Sequence, residues 1–156
     1  MQGTSFPGIA ASRRQLSTVV DSESDLMYST AFDGVIELSR NITISETVTI
    51  SERDSLTING NGFAIDGDMI VRCLSISKSV VYLMDLIITN CYLAKNSIDG
   101  GGGGLIIDFS VLSMERCIVF GNVANQSQGG GLFAYSSNVS IVESYVANNR
   151  AVLYIC

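Results

Sequence analysis

The chain has 156 residues, of which 47% are hydrophobic and 15% are charged, and its formal net charge at pH 7 is −6. This composition indicates one folded domain with a sizeable core rather than a disordered chain, and the acidic balance without a basic cluster argues against a nucleic-acid partner. The sequence contains no histidine, the commonest general base and metal ligand, and we expect neither a cofactor nor a metal site.

Residues 1–20 contain no acidic side chain and lack the continuous apolar run of a secretory signal. We predict that they form a disordered or leader-like segment and that one β-rich domain spans 21–156. A short helix is predicted over about 22–32, because Ser22 and Asp25 have the spacing of a capping box. A lone amphipathic helix ahead of a repeat array is expected to cap the end of the core.

From residue 35 the pattern changes to an alternation of apolar and polar residues, which predicts many short strands and no second helix over about 35–156. The first apolar positions predicted to share a face are Ile42, Ile44, Val48, Ile50, Leu56 and Ile58. The stretch Val80–Leu93 is too short to span a membrane and holds Asp85 and Asn90, so we interpret it as two consecutive core strands.

The segment Gly102–Ala124 is repeated in Gly129–Ala151, without a gap and with 9 of 23 positions identical. A repeat of this period predicts stacked coils that bury each other's apolar faces, as in a parallel β-helix of four or five coils. An antiparallel sandwich is the alternative, but hairpin signals are scarce. Since the chain ends inside a repeat, we expect it to be a piece of a longer protein.

Glycine and asparagine recur at fixed places in the two repeats. The glycine runs at 100–104 and 129–131 lack the residues of a phosphate loop, so we predict tight corners or close approach between coils. Asn122 and Asn149 are expected to stack as an amide ladder that satisfies the backbone of the turns.

The four cysteines, Cys73, Cys91, Cys117 and Cys156, have no zinc-site spacing. Two disulfide bonds are allowed by the even count, but we favour four small buried apolar residues. Three glycosylation motifs begin at Asn41, Asn125 and Asn138, and they give weak support for a secreted protein.

Asp85, Glu115 and Arg116 are the candidates for catalysis, because paired carboxylates can hydrolyse a glycosidic bond. By analogy with enzymes built on β-helices, an acid–arginine set could also serve a lyase or an epimerase. Asp85 and Glu115 lie near corresponding places in successive coils, whereas Glu143 is one position out of register with Glu115. We favour solvated positions on the outer face for all of them, since no site converges.

The candidate binding surface lies on two loops at equivalent points of the coil, Lys95–Asp99 and Asn125–Gln128, because loops on a rigid solenoid are the usual place for contacts. Most of the aromatic residues are expected to lie in the core or to stack on one another between coils, with Tyr135 the one most expected to be exposed for stacking on a sugar. The binding candidates are Lys95, Asn96, Asp99, Asn125, Gln126, Gln128 and Tyr135.

The runs Leu83–Gly104, Leu112–Gly131 and Val139–Ala151 each follow an order of apolar strand, polar kink, second strand, asparagine and alanine, and the first two end in a variable loop and a glycine run. This order resembles the repeats of polymorphic outer-membrane proteins. The resemblance implies an all-β, right-handed parallel β-helix (solenoid) of the pectin-lyase-like class, with the short N-terminal helix as its cap.

The same resemblance implies an extracellular or cell-surface location, with a role in adhesion or carbohydrate contact and no catalytic signature. The expected partners are a polysaccharide or cell-surface glycan and other segments of a longer parent protein, with no membrane span in this segment. The alternatives are a polysaccharide-active enzyme, namely a lyase, hydrolase or uronate epimerase, and a structural spacer of a larger surface protein.

Overall fold

The computed structural model describes residues 17–93 and 101–152. Within them the chain forms one helix and eighteen short strands, which pair in parallel and build a β-solenoid of about four coils. The predicted parallel β-solenoid is thereby confirmed. The strands group into four sheets, which we name I to IV in the order in which the chain passes through a coil.

Sheets I and II are the two longest, and each runs from the N-terminal to the C-terminal end of the stack in the order of its strand numbers. Sheet I contains β1 (Ser17–Val20), β2 (Gly34–Leu38), β5 (Leu56–Asn59), β8 (Val80–Met84), β12 (Val111–Glu115) and β16 (Asn138–Val142). Sheet II contains β3 (Ile42–Thr43), β6 (Ala64–Asp66), β9 (Ile87–Thr89), β13 (Ile118–Phe120) and β17 (Tyr145–Ala147).

Sheets III and IV complete the coil. Sheet III occurs only in the later coils and contains β10 (Tyr92–Leu93), β14 (Val123–Asn125) and β18 (Arg150–Val152). Sheet IV contains β4 (Val48–Ser51), β7 (Leu74–Ser77), β11 (Leu105–Asp108) and β15 (Leu132–Tyr135). Val80–Leu93 forms three strands rather than the predicted two, because the chain turns twice within it, and no helix in the described part of the chain is long and apolar enough to cross a membrane.

The core lies inside the coils and follows the predicted alternation. Ile42, Ile44, Val48, Ile50, Leu56 and Ile58 are all buried, with exposed fractions of 2% or less. Residues of the same kind stack on one another in successive coils, as in the register pairs Leu83 with Met114 and Ile88 with Val119. Each coil therefore covers the apolar face of its neighbour, which is the reason for the repeat.

The repeated segments are adjacent coils in the predicted register. Leu105 pairs with Leu132 and Val119 pairs with Val146, so each residue stacks on its own counterpart in the second copy. The glycine prediction is also confirmed, because Gly102 has a φ of 87° and a Cβ on Gly104 would lie 2.5 Å from the carbonyl oxygen of Gly131.

Polar ladders hold the corners of the solenoid. The hydroxyl groups of Ser79, Ser110 and Ser137 each donate to the carbonyl two residues earlier at 2.7 Å and accept a backbone N–H of the preceding coil at 3.0 Å. Asn122 and Asn149 form the predicted amide ladder, since Asn149 Oδ1 accepts from both the backbone N and Nδ2 of Asn122. These ladders fix the corner backbone from coil to coil.

Helix α1 (Glu23–Ser29) forms where a helix is predicted but ends earlier, at the C-cap Thr30. Ser22 Oγ accepts the N–H of Asp25, as an N-cap side chain does, and it also donates to the Asp25 carboxylate. Leu26 is fully buried in the core. The strand β1 ahead of the helix lies within the segment predicted as disordered or leader-like, so β-structure begins before residue 21, and residues 1–16 lie outside the described part.

Cys73 and Cys91 form a disulfide bond across a sequence separation of 18, with their Cα atoms 5.4 Å apart. The interpretation of all four cysteines as free apolar residues is therefore wrong for this pair. It was missed because the two positions are not equivalent in the repeat and their spacing follows no motif. Cys117 is a free, buried thiol, as expected, and Cys156 lies outside the described residues.

Candidate functional site

The three residues predicted as catalytic candidates lie together at the corner between sheets I and II. Asp85 and Arg116 occupy equivalent places in adjacent coils, because the Asp85 N–H donates to the carbonyl of Glu115, and both have a positive φ near 50°. The guanidinium of Arg116 donates from Nε to Asp85 Oδ1 at 2.7 Å and from Nη2 to Oδ2 at 3.0 Å. It also contacts Glu115 Oε1 through Nη1.

This cluster is exposed, with 36% to 43% of each side chain accessible to solvent. The hydrogen bonds from Arg116 hold the pKa of Asp85 below its usual range, and the same contact raises the pKa of Arg116. A glycosidase acid instead needs a raised pKa and a partner carboxylate across the scissile bond. The geometry therefore describes a surface ion cluster in which both oxygens of Asp85 are occupied.

We expect the change Arg116→Gln to raise the pKa of Asp85 toward its usual value, because the bidentate contact is its main perturbation. Because folding lowers the pKa of Asp85, the ion pair contributes its full stabilisation above the unfolded-state pKa, and that contribution is lost as the pH falls through the lower folded-state pKa. Carbon-detected NMR titration of the Asp85 carboxyl in both proteins measures the shift. An Asp85 pKa in the ordinary range in the unaltered protein would contradict the contact.

A second cluster lies at the corner between sheets IV and I. Lys78, Phe109 and Ser136 occupy equivalent places there in successive coils, each with a positive φ near 45° and each directly before a serine of the ladder. The rings of Phe109 and Tyr135 meet edge to face with centroids 5.6 Å apart, and their exposed fractions are 58% and 56%. Exposed aromatic faces at a rigid corner are suited to stacking.

A shallow groove of about 470 Å³ runs along this corner. Its lining includes Arg53, Asp54, Lys78, Phe109, Ser136 and Asn138. The Arg53 guanidinium is held by hydrogen bonds to the carbonyls of Ser51 at 2.8 Å and Ala31 at 2.6 Å. The groove thus combines an aromatic face with cationic, anionic and amide groups along one edge of the solenoid. We name it the corner groove.

The predicted binding residues that fall in the described part of the chain lie at two different corners of the coil. Asn125 and Gln126 lie at the corner between sheets III and IV, where Asn125 Nδ2 donates to the Tyr92 hydroxyl at 3.0 Å. The Gln128 carbonyl accepts the N–H of Gly102 in the preceding coil. Tyr135 is at the opposite end of β15, and it is exposed as predicted. Lys95, Asn96 and Asp99 lie outside the described residues.

Sequence reasoning missed the remaining side chains of the corner groove, Arg53, Asp54, Lys78 and Asn138. A signal was present for Lys78, because Ser79, Ser110 and Ser137 each follow a strand of the same sheet and the residue before each serine lies at the corner. The residue at the corner can be identified only after the three serines have been aligned in register.

No protein-family model, curated protein or solved structure matches the chain. Its functional interpretation therefore depends on the geometry described above. Within the described residues, no group of three or more acidic or cysteine side chains is arranged to hold a metal ion.

Proposed function

We propose that this chain is a non-catalytic extracellular or cell-surface module that contacts carbohydrate through the corner groove. The observation that carries the proposal is the exposed pair of rings, Phe109 and Tyr135, beside polar groups at a corner fixed by the serine ladder. Carbohydrate sites combine an aromatic face for the C–H face of a sugar with a few placed hydrogen-bonding groups.

The groups around the rings suit neutral sugar hydroxyls. Lys78 and Arg53 offer donors, the Asp54 carboxylate offers acceptors, and the Asn138 amide offers both. Because Arg53 is anchored by two backbone carbonyls, little side-chain entropy is lost when it meets a ligand. The ligand class is thus a glycan whose chain runs along the stack of coils.

The proposed location is supported by the disulfide bond between Cys73 and Cys91, since such bonds persist in oxidising compartments. We further propose the finer features implied by the resemblance to polymorphic outer-membrane proteins. These are right-handed winding, which parallel crossovers strongly favour, membership of the pectin-lyase-like class, and a capping role for α1, whose Leu26 packs into the core.

The enzyme alternative has less support, because Asp85 is held ionised by Arg116 and both of its oxygens accept from that guanidinium. A spacer role would give no function to the exposed ring of Phe109 in the corner groove or to the ring of Tyr135 beside it. Neither alternative is favoured by an observation of its own.

We expect the folded protein to bind on a glycan array, and Phe109→Ala or Tyr135→Ala to weaken that binding about tenfold, the equivalent of roughly 1.4 kcal/mol of stacking. Tyr145→Ala is the matched control, because Tyr145 is equally exposed, at 59%, but lies on sheet II. Circular dichroism verifies that all three variants fold.

Equal losses in the three variants, or no binding at all, would contradict the carbohydrate site. A polysaccharide degradation assay on the same sample separates the enzyme alternative, since turnover that disappears in Glu115→Gln would overturn the non-catalytic proposal.

A further inference from the structure

The three glycosylation motifs, which the proposed function does not use, are placed in different surroundings by the fold. Each begins with an asparagine whose Nδ2 would carry the sugar, so the contacts of that nitrogen determine whether a sugar can be attached without disturbing the fold. An attached glycan is bulky and hydrophilic, and it requires the nitrogen to face solvent in the folded protein. The structure separates the three motifs on this criterion.

Asn41 is exposed and lies at the corner between β2 and β3. Its Oδ1 accepts the backbone N–H of Ala64 at 3.0 Å. Since a backbone N–H can only donate, the atom facing it must be the amide oxygen, and Nδ2 is turned away. Within the described residues no group accepts a hydrogen bond from that nitrogen, and Thr43, the third residue of the motif, is also exposed.

Asn125 has the opposite arrangement. It is half-buried, and its Nδ2 donates to the Tyr92 hydroxyl at 3.0 Å, so a bulky sugar on that nitrogen would have to displace the side chains around it. Asn138 is exposed but lines the corner groove, so a glycan there would fill the proposed ligand site.

We propose that Asn41 is an N-glycosylation acceptor and that Asn125 is not. The co-reactant is an oligosaccharide carried on a lipid pyrophosphate. Asn41 Nδ2 attacks C1 of the first sugar and forms the C–N bond, the bond from C1 to the pyrophosphate oxygen breaks with its electron pair leaving on the lipid pyrophosphate, and Nδ2 loses one proton to a base of the transferring enzyme. The inference depends on the extracellular part of the proposed function, which requires passage through a secretory pathway.

The position of Asn41 gives the glycan a physical role. It directly precedes β3, the edge strand of sheet II at the N-terminal end of the described stack. Edge strands present unpaired backbone groups to other chains and are commonly protected against edge-to-edge association. A glycan on Asn41 would shield this edge while leaving the corner groove, at a different corner, open.

The test is secretion of the full chain, behind an added secretion leader, from a eukaryotic cell. Release of glycans by peptide-N-glycosidase in ¹⁸O-water marks each occupied asparagine for mass spectrometry. We expect label at Asn41 and none at Asn125. Thr43→Ala, which retains Asn41 and its bond to Ala64 but removes the motif, should abolish the label, and Ser127→Ala should leave it unchanged.

An unlabelled Asn41 in the secreted, folded protein would overturn the inference, as would label that survives Thr43→Ala. If a variant is retained in the cell, translation in the presence of microsomes measures glycan transfer without requiring secretion. Absence of glycan transfer to Asn41 in that assay would also overturn the inference. Label at Asn138 would instead count against the corner groove and leave the assignment of Asn41 intact.

Discussion

Replacing Asn122 with alanine should destabilise the solenoid severely. Asn122 is fully buried, its Oδ1 accepts the N–H of Cys91 at 2.9 Å, and its Nδ2 donates to the carbonyl of Ile88 at 3.1 Å. Alanine would leave both backbone groups unpaired and away from water, at roughly 1–3 kcal/mol each. With the lost amide contact to Asn149, we expect the free energy of unfolding to fall by about 3–5 kcal/mol.

Asn149→Ala is the matched control, because Asn149 holds the same place in the next coil and makes the same kind of contacts. It is only half-buried, so water can replace its amide, and we expect a loss of about 1 kcal/mol. Urea denaturation followed by circular dichroism measures both. Similar losses in the two variants would show that burial of the ladder does not determine its contribution.

The last two coils could be predicted from the sequence because each position is repeated without a gap. The alignment of the two copies places Ser113 beside Ser140 and Ala124 beside Ala151, which is the register of the structure. It also places Glu143 beside Arg116 rather than Glu115, as the sequence indicates. In a solenoid each coil contacts only its neighbours, so the register between adjacent coils determines nearly all tertiary contacts. A repeat without gaps therefore predicts most of the tertiary structure of these two coils.

The earlier coils are less regular, and the sequence predicts their strands but not their register. The sheet I pairs Ile36–Ile58, Ile58–Leu83 and Leu83–Met114 join successive coils at three different sequence separations. Loops at the corners absorb these differences at little cost in free energy, so no fixed period survives in the sequence.

The candidate sites could be predicted where they lie within the two regular coils, but not where they involve the irregular earlier coils. The bidentate contact between Asp85 and Arg116 joins a coil of the clean repeat to the coil before it, so it needs a register that the gapless repeat does not give. The corner groove combines Arg53, Lys78 and Phe109 from three coils, two of which precede the clean repeat. The exposure of Tyr135 could be predicted because Ser136 and Ser137 follow it at a polar corner.

Loss of the Cys73–Cys91 disulfide bond should be the second large effect. A cross-link that closes a loop of this size, with a sequence separation of 18, restricts the unfolded chain by about 3 kcal/mol. We expect the double change Cys73→Ala and Cys91→Ala to lower the free energy of unfolding by at least about that amount, since both side chains are also fully buried.

Cys117→Ala is the control, because it removes one buried thiol without removing a cross-link. Burial raises the pKa of the Cys117 thiol, so it is a poor partner for exchange with the bond. Urea denaturation with and without reductant measures the difference. Reductant should lower the midpoint of the unaltered protein and of Cys117→Ala, but not that of the double variant.

Alanine removes buried volume in both variants, whereas reductant removes none. The comparison therefore separates the effect of the cross-link on the unfolded chain from the effect of lost buried volume. If reductant leaves the unaltered protein unchanged even after unfolding and refolding in its presence, Cys73 and Cys91 are two buried thiols. The disulfide support for an oxidising compartment would then disappear, and the proposed extracellular location would depend on the resemblance to polymorphic outer-membrane proteins.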